Sequence, residues 1–169
     1  MRSKEILIAV FAVLVLALAA FLLFSPPGAN PAPPASFTTL DGKTLRLTEL
    51  RGRPVLVTFW ATTCPGCVSE MPHLIELYKD LHPRGLEIIG VAMAYDPPAQ
   101  VREMVARRSV NYPIALDSDG SIAKAFSDVR LTPTHFVIDP QGRIVQQKLG
   151  ELDLTALRTR LEPMLKDGA

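Results

Sequence analysis

The chain has 169 residues, nearly half of them apolar, and a formal net charge of +1 at pH 7. That length suits one domain with a single core and is short for two. Beyond Asp41 the acidic and basic residues are interspersed, without the Lys/Arg run that follows a phosphate backbone. We therefore expect no nucleic-acid partner.

An uninterrupted apolar run at 6–24 predicts a transmembrane anchor. About 20 apolar residues cross the hydrocarbon core as a helix, and no polar or charged side chain falls in this run. A cleaved signal peptide is the alternative, but its apolar region usually has about 7–15 residues and ends at small side chains. This run ends in FLLF. A retained anchor is favoured, and cleavage stays open.

The flanks of the run predict its orientation. Residues 1–5 carry Arg2 and Lys4, whereas no charge follows the run until Asp41. The positive-inside rule then places 1–5 in the cytoplasm and the rest of the chain in the periplasm of a bacterium, held at the inner membrane by one span. The next segment, 25–36, is rich in Pro and Ala, and we expect an extended tether that forms neither helix nor sheet.

The domain at 37–169 alternates strand and helix patterns. Asp41-Gly42 lies between two short β-prone runs and predicts a hairpin. Later runs predict strands at 55–61, 86–94, 135–139 and 144–149, and helices from Pro65 and at 98–108, 121–126 and 154–165. This order implies an α/β fold, a mixed sheet with helices on both faces.

The two cysteines, Cys64 and Cys67, enclose Pro65 and Gly66 at the predicted junction of strand and helix. A thiol at a helix N-terminus meets unpaired N–H groups and the positive end of the dipole, which favour the thiolate. With two residues between them, one sulfur can attack a mixed disulfide made by the other. We predict that Cys64 attacks and Cys67 resolves, with no separate cofactor.

Other uses of a cysteine pair fit less well. A structural staple across so short a loop would remove little entropy from the unfolded chain. A zinc site needs further ligands, and the three histidines, His73, His82 and His135, lack paired spacing. Covalent c-type haem is excluded because Val68, not histidine, follows the second cysteine. We expect no metal ligands.

Two motifs, FWATTCPGCVSEMP at 59–72 and LTPTHFVIDPQGRI at 131–144, resemble the thioredoxin superfamily, specifically its membrane-anchored TlpA/ResA-like branch. The resemblance covers the chain from Phe37 onward. It implies a thioredoxin fold with an N-terminal hairpin and a central insertion, and a cis peptide before Pro133 that packs against the cysteines. It also implies that client cysteines dock on a rim formed by Thr132, Pro133, Pro65 and Gly66. Trp60 is assigned to this rim as well, although core packing is favoured as its main role.

The resemblance assigns a proton-handling role to Glu70, which matches an acidic residue beside the cysteines in the ResA-like branch. A partly buried carboxyl group with a raised pKa could supply the proton that a leaving thiol needs. The alternative is a solvated glutamate on the helix surface. His135 follows the expected cis-proline loop and could lie near the sulfurs, but an ordinary strand residue is the favoured interpretation.

Some positions depart from the superfamily pattern. Thr58 stands where thioredoxin has a buried aspartate, and Thr63 replaces a tryptophan that commonly precedes the first cysteine. The Pro65-Gly66 pair matches neither the reducing nor the strongly oxidising relatives. The direction of electron flow therefore stays open.

The resemblance implies an extracytoplasmic reductase of protein disulfides that takes electrons from a membrane thiol donor. Its clients would belong to cytochrome c maturation or metal-centre assembly. A thiol oxidant that forms disulfides in secreted proteins shares every motif and is the alternative. From another class, a copper metallochaperone usually has three residues between its cysteines, not two. A peroxidase is disfavoured because Ala61 takes the place of the required threonine.

Overall fold

The computed structural model describes residues 30–166 and, before them, Val13 alone. The predicted anchor at 6–24, Val13 apart, and the segment 1–5 lie outside the described residues. Within the described part of the chain, no helix has the length and apolar character needed to cross a bilayer.

Most strands of the described region join one mixed sheet. The strands are β1 (Asn30–Pro31), β2 (Ser36–Thr38), β3 (Thr44–Arg46), β4 (Val55–Trp60), β5 (Glu87–Ala92), β6 (Ile114–Leu116), β7 (Thr134–Ile138) and β8 (Arg143–Leu149). β2 and β3 form the predicted hairpin. The other strands of residues 30–166 form a six-stranded sheet in the order β1-β8-β7-β4-β5-β6. β4, β5 and β6 are parallel, and β7, β8 and β1 alternate in direction.

The α-helices of the described region are α1 (Pro65–Leu81), α2 (Pro98–Arg108), α3 (Ser121–Ala125) and α4 (Leu154–Leu161). Short 3-10 turns follow α1 at His82–Arg84 and α4 at Glu162–Met164. The closing helix is thus shorter than the predicted 154–165. Pro163 has no N–H to continue the α-helical ladder, so the chain tightens into a 3-10 turn there.

The central strand β4 is buried on both faces, which explains its continuous apolar run. Leu56 and Trp60 face a core shared with α1, α2 and α4. Val57 and Phe59 face a second core, which α3 and the β2–β3 hairpin cover. The prediction of a mixed sheet with helices on both faces is therefore confirmed.

The prediction that 25–36 forms neither helix nor sheet is wrong for the part that the structure describes. Asn30–Pro31 is strand β1, which pairs with β8 opposite Arg143 and Ile144. Ala35 is buried in the second core, and the segment ends in β2. Proline is tolerated there because β1 is the edge strand of the sheet, and the N–H groups on the outer side of an edge strand need no partner strand.

Strand β6 was absent from the sequence interpretation. It has only three residues, Ile114–Leu116, and pairs in parallel with β5 at the far edge of the sheet. So short a run gives no periodicity of its own and becomes a strand through pairing. Together with α2 it lies between β5 and α3 in the chain.

Candidate active site

The cysteine pair lies where the chain leaves β4 and enters α1. Cys64 is the N-cap of α1 with extended backbone, and Pro65 follows at the first helical position, where its missing N–H costs nothing. Sγ of Cys64 accepts a hydrogen bond of 3.2 Å from the backbone N–H of Cys67. The two sulfurs are joined in a disulfide whose Cα atoms are 5.3 Å apart. A thiolate on Cys64 would keep this donor and the positive end of the helix dipole.

The two sulfurs differ in accessibility. Cys64 is half-buried, whereas Cys67 is 4% exposed. Pro65 and Thr63 are exposed beside Cys64, and Gly66 is half-buried. Only Cys64 is therefore open to a large partner, as its predicted attacking role requires.

The loop before β7 contributes the other wall of the site. The peptide bond between Thr132 and Pro133 is cis. Because β7 runs antiparallel to β4, with Thr134 opposite Phe59, this loop lies at the sheet end where β4 leads to the cysteines. Thr132 is half-buried and Pro133 is buried. Leu131, which the sequence interpretation did not single out, is 61% exposed.

Trp60 packs in the core, as favoured from the sequence, and its additional assignment to the docking rim is corrected. Its side chain is only 3% exposed and belongs to the core beneath α1. Within the described residues its Nε1 has no hydrogen-bond partner. The alternation of β4 points this side chain to the sheet face that α1 covers, so it packs against the helix that begins at the cysteines.

The loop that carries Cys64 is held in place by a buried carboxylate. Asp96, which is 4% exposed, accepts hydrogen bonds from the backbone N–H of Thr62 at 2.6 Å and from its hydroxyl at 2.5 Å. The loop between β4 and α1 is thereby fastened to the segment after β5.

Glu70 lies inside the protein, so the alternative of a solvated surface glutamate is wrong. It is 5% exposed, and its Oε1 accepts a hydrogen bond of 2.7 Å from the backbone N–H of Leu152. Burial raises the pKa of Glu70 above its usual value, and the nearby charge of Glu151 adds to the rise. The Leu152 hydrogen bond and the charge of His73 act in the opposite direction.

Glu70 and Cys67 share a small internal cavity of about 10 Å³, the room of about one water molecule. The remaining lining residues are Thr58, Trp60, Met71, Leu74 and Tyr112. The pKa of Tyr112 is raised, first by burial and then by the charge of Glu70. Cys67 and Glu70 therefore line the same small cavity.

The structure brings His135 next to Glu70, a contact that the sequence interpretation did not predict. His135 is 1% exposed, and its Nε2 is 3.2 Å from Oε2 of Glu70. The contact is close but poorly aligned, and no well-aligned hydrogen bond reaches either ring nitrogen from the described residues. Burial lowers the pKa of His135 to about 4. A signal existed in the sequence, because His135 is a titratable residue inside an otherwise buried strand.

The loop between β8 and α4 joins both walls of the site. The backbone N–H of Gly150, a residue with φ +83°, donates to the carbonyl of Pro133 at 2.9 Å. Leu152 donates to Glu70, as described above. Glu151 lies over Gly66, so closely that a Cβ at Gly66 would be 3.0 Å from its Oε1. We call residues 150–152 the clasp loop.

Within the described residues, no group of three His, Cys, Asp or Glu side chains could hold a metal ion.

A disulfide at a helix N-terminus, on a mixed sheet and at the same sheet end as a cis-proline loop, defines a thioredoxin-type thiol–disulfide oxidoreductase. The Redoxin family model matches residues 27–162. The chain therefore belongs to the redoxin family, as a TlpA/ResA-like member of the thioredoxin superfamily.

Relatives and solved structures agree with this membership. The chain is 35% identical over 135 residues to thiol-disulfide oxidoreductase ResA of Bacillus thuringiensis subsp. konkukian, covering 80% of this chain and 75% of that one. It is 33% identical over 123 residues to ResA of Bacillus subtilis, covering 73% and 68%. A thiol:disulfide interchange protein of Chlorobium tepidum superposes with a TM-score of 0.74 at 26% identity, covering 83% and 99%. StoA of Bacillus subtilis gives 0.65 at 25% identity, covering 76% and 98%.

Proposed function

We propose that this oxidoreductase is an extracytoplasmic reductase of protein disulfides. It is anchored in the bacterial inner membrane by 6–24 and takes electrons from a membrane thiol donor. Its clients belong to cytochrome c maturation or metal-centre assembly. The observation that carries the proposal is the cysteine pair itself, with an accessible Cys64 at the helix N-terminus and a buried Cys67 beside the buried carboxyl group of Glu70. The names of the ResA relatives support the same chemistry.

In the first half of the cycle, the donor dithiol reduces the Cys64–Cys67 disulfide. A donor thiolate attacks Cys64, and Cys67 leaves and takes up a proton. A second donor thiolate then displaces Cys64, so that the donor ends as a disulfide and both protein cysteines are reduced. Two electrons pass from donor to protein, and no cofactor takes part.

In the second half, the thiolate of Cys64 attacks a client disulfide. One client sulfur leaves, and a mixed disulfide joins the other to Cys64. Cys67 then loses its proton, attacks Cys64 and releases the second client sulfur as a thiol. Glu70 is placed to exchange this proton, because it faces the same cavity as Cys67 and burial raises its pKa.

The client docks on the surface around Cys64. Thr132 offers backbone groups for strand-like pairing, and the buried Pro133 fixes the position of that loop. Pro65 and Gly66 form the rim on the helix side, and the exposed side chain of Leu131 adds an apolar contact beside Thr132.

The reduction potential tests the direction of electron flow. The full-length protein is equilibrated in graded thiol buffers and followed through Trp60, the one tryptophan of the chain, which lines the cavity beside Cys67. A midpoint near the roughly −270 mV of thioredoxin supports the reductase. A midpoint near −120 mV would instead identify an oxidant of secreted proteins.

A trapping experiment tests the roles of the sulfurs. Cys67→Ala should accumulate a mixed disulfide between Cys64 and its client, whereas Cys64→Ala should accumulate none. Equal trapping by both variants would contradict the assigned order of attack. If the protein bound Cu(I) stoichiometrically and showed no disulfide exchange, the result would favour a copper metallochaperone over a reductase.

A further inference from the structure

We propose that His135 is the positioning residue for Glu70, and that the two side chains form a buried couple that holds one shared proton for Cys67. This inference rests on the proposed function, because it concerns how the proton of the resolving cysteine is handled. It assigns a role in the exchange reaction to a strand residue outside both the cysteine motif and the cis peptide.

The topology brings the two groups together across the protein core. His135 is in β7 directly opposite Thr58 of β4, so both side chains are on the same sheet face. That is the face on which α1 packs, because Val137, two residues along β7, shares the core of α1. Glu70 reaches down from α1, and its Oε2 is 3.2 Å from Nε2 of His135.

Besides Glu70, the ring of His135 has a backbone contact with Gly150 that is not a well-aligned hydrogen bond. Both side chains are at most 5% exposed, and no well-aligned hydrogen bond from the described residues satisfies the imidazole. A buried polar group without a partner costs about 1–3 kcal/mol. Oε1 of Glu70 is already engaged by Leu152, whereas Oε2 faces the ring. A proton between Nε2 and Oε2 satisfies both atoms.

Charges on the surrounding elements bias this couple. Facing His135, Lys148 of β8 is its cross-strand partner and its positive charge lowers the pKa of the ring, whereas the Gly150 backbone raises it. Around Glu70, Glu151 raises the pKa of the carboxyl group and His73 lowers it. Tyr112, which also lines the cavity, stays neutral because burial, and then the charge of Glu70, raise its pKa.

The couple exchanges one proton with Cys67. Before resolution it consists of a carboxylate and a neutral imidazole, with a net charge of −1. Cys67 then gives up its thiol proton, the couple becomes neutral overall, and the Cys67 thiolate forms a bond to Cys64 as the client sulfur leaves. In re-reduction the proton returns to Cys67 as it leaves the disulfide. Because either group can hold the proton, the titration belongs to the pair.

The test follows the resolution step as a function of pH. Reduced full-length protein is mixed with a substoichiometric aromatic disulfide, 5,5′-dithiobis(2-nitrobenzoate), and the second thionitrobenzoate is released when Cys67 attacks the mixed disulfide on Cys64. His135→Gln keeps an N–H donor near Glu70 but cannot take up the proton. It should shift the midpoint of the rate profile to lower pH by about one unit, the coupling at which two sites titrate as a pair. His82→Gln, at the far end of α1, is the matched control and should leave the profile in place.

Two further variants separate this role from a structural one. Because His135 acts through Glu70, the double variant Glu70→Gln/His135→Gln should follow the profile of Glu70→Gln alone. A His135→Gln profile that coincides with the wild type would overturn the inference. If that variant does not fold, ring-nitrogen chemical shifts of His135 are titrated in wild type and Glu70→Gln, and an unchanged ring titration would also overturn it. A wild type that releases no second thionitrobenzoate would instead refute the resolving role of Cys67, and the proposed function with it.

Discussion

The backbone N–H of Leu152 donates a 2.7 Å hydrogen bond to Oε1 of Glu70, across 82 positions of the chain. The bond joins the clasp loop to the first turns of α1. It stabilises the charged carboxylate, but burial outweighs it, and the pKa of Glu70 is raised. The acid next to the cysteines is thus a group that the folded protein keeps protonated to a higher pH than the unfolded chain does.

Glu70→Gln should stabilise the protein at neutral pH. A carboxyl group with a raised folded pKa binds its proton more tightly in the folded state, so stability is lost as pH rises through that pKa. Glutamine carries no charge, and its oxygen can still accept from Leu152. We expect a gain at pH 7 and no gain at pH 4, measured by chemical denaturation of the oxidised full-length protein. A variant less stable than wild type at both pH values would refute this.

His135 should make the protein sensitive to acid. Burial lowers its folded pKa from 6.5 to about 4, so the folded state favours the neutral ring. The neutral ring therefore contributes on the order of 3 kcal/mol to the free energy of unfolding. This stabilisation is fully present above pH 6.5 and is lost as the pH falls from 6.5 through about 4. His135→Phe should flatten the dependence of stability on pH in this window, whereas His82→Phe should keep the wild-type slope. The measurement is denaturation at several pH values, and equal slopes in wild type and His135→Phe would contradict the assignment.

Two exposed residues should tune Glu70 in opposite directions. The charge of Glu151 raises the pKa of Glu70, and that of His73 lowers it. Glu151→Gln should therefore lower the pKa of Glu70. His73→Gln should raise the pKa of Glu70, because it removes the positive charge of the protonated histidine. Both shifts should shrink in high salt, because exposed charges are screened. Carboxyl carbon shifts of Glu70 against pH give the result.

The control for this pair is Glu49→Gln. Glu49 lies on the turn Leu47–Leu50, whose leucines pack on the second core, on the opposite face of the sheet. The variant should leave the pKa of Glu70 unchanged. Shifts of the same sign for Glu151→Gln and His73→Gln would show that the effect is not electrostatic.

Asp96→Ala should weaken the loop that carries Cys64. The substitution removes the acceptor of two hydrogen bonds from Thr62, and a buried donor left without a partner costs about 1–3 kcal/mol. Asp96→Asn keeps one acceptor oxygen and should cost less. Both stability and the rate of the first thionitrobenzoate release should fall in the order wild type, Asn, Ala. A normal exchange rate in a destabilised Asp96→Ala would limit the role of Asp96 to folding.

Much of the architecture can be predicted from local sequence patterns. The apolar run of β4, the proline after Cys64 and the Asp41-Gly42 turn act over a few residues, so each is legible in the sequence. The helix predicted at 98–108 matches α2. The same holds for the cysteine pair, whose chemistry follows from its place at a helix N-terminus.

What the sequence did not reveal depends on long-range pairing. Strand β1 exists because β8 offers it an edge, and β6 exists because β5 does. The contact between Glu70 and His135 needs the register of β7 on β4 and the rotation of α1 above them. No local pattern encodes either, so the sequence alone does not place the histidine beside the carboxyl group.

Strand β1 also decides where this protein can be shortened. It covers the outer edge of β8 at Arg143 and Ile144, and Ala32 adds a backbone hydrogen bond of 2.9 Å to Gly142. A chain that begins at Phe37 would lose this cover and lengthen the open edge of β8, and an open edge is a template for another copy of the same strand. Self-association through β8 would then distort any measurement made on the fragment. Soluble versions of the domain should therefore retain the residues from Asn30 onward.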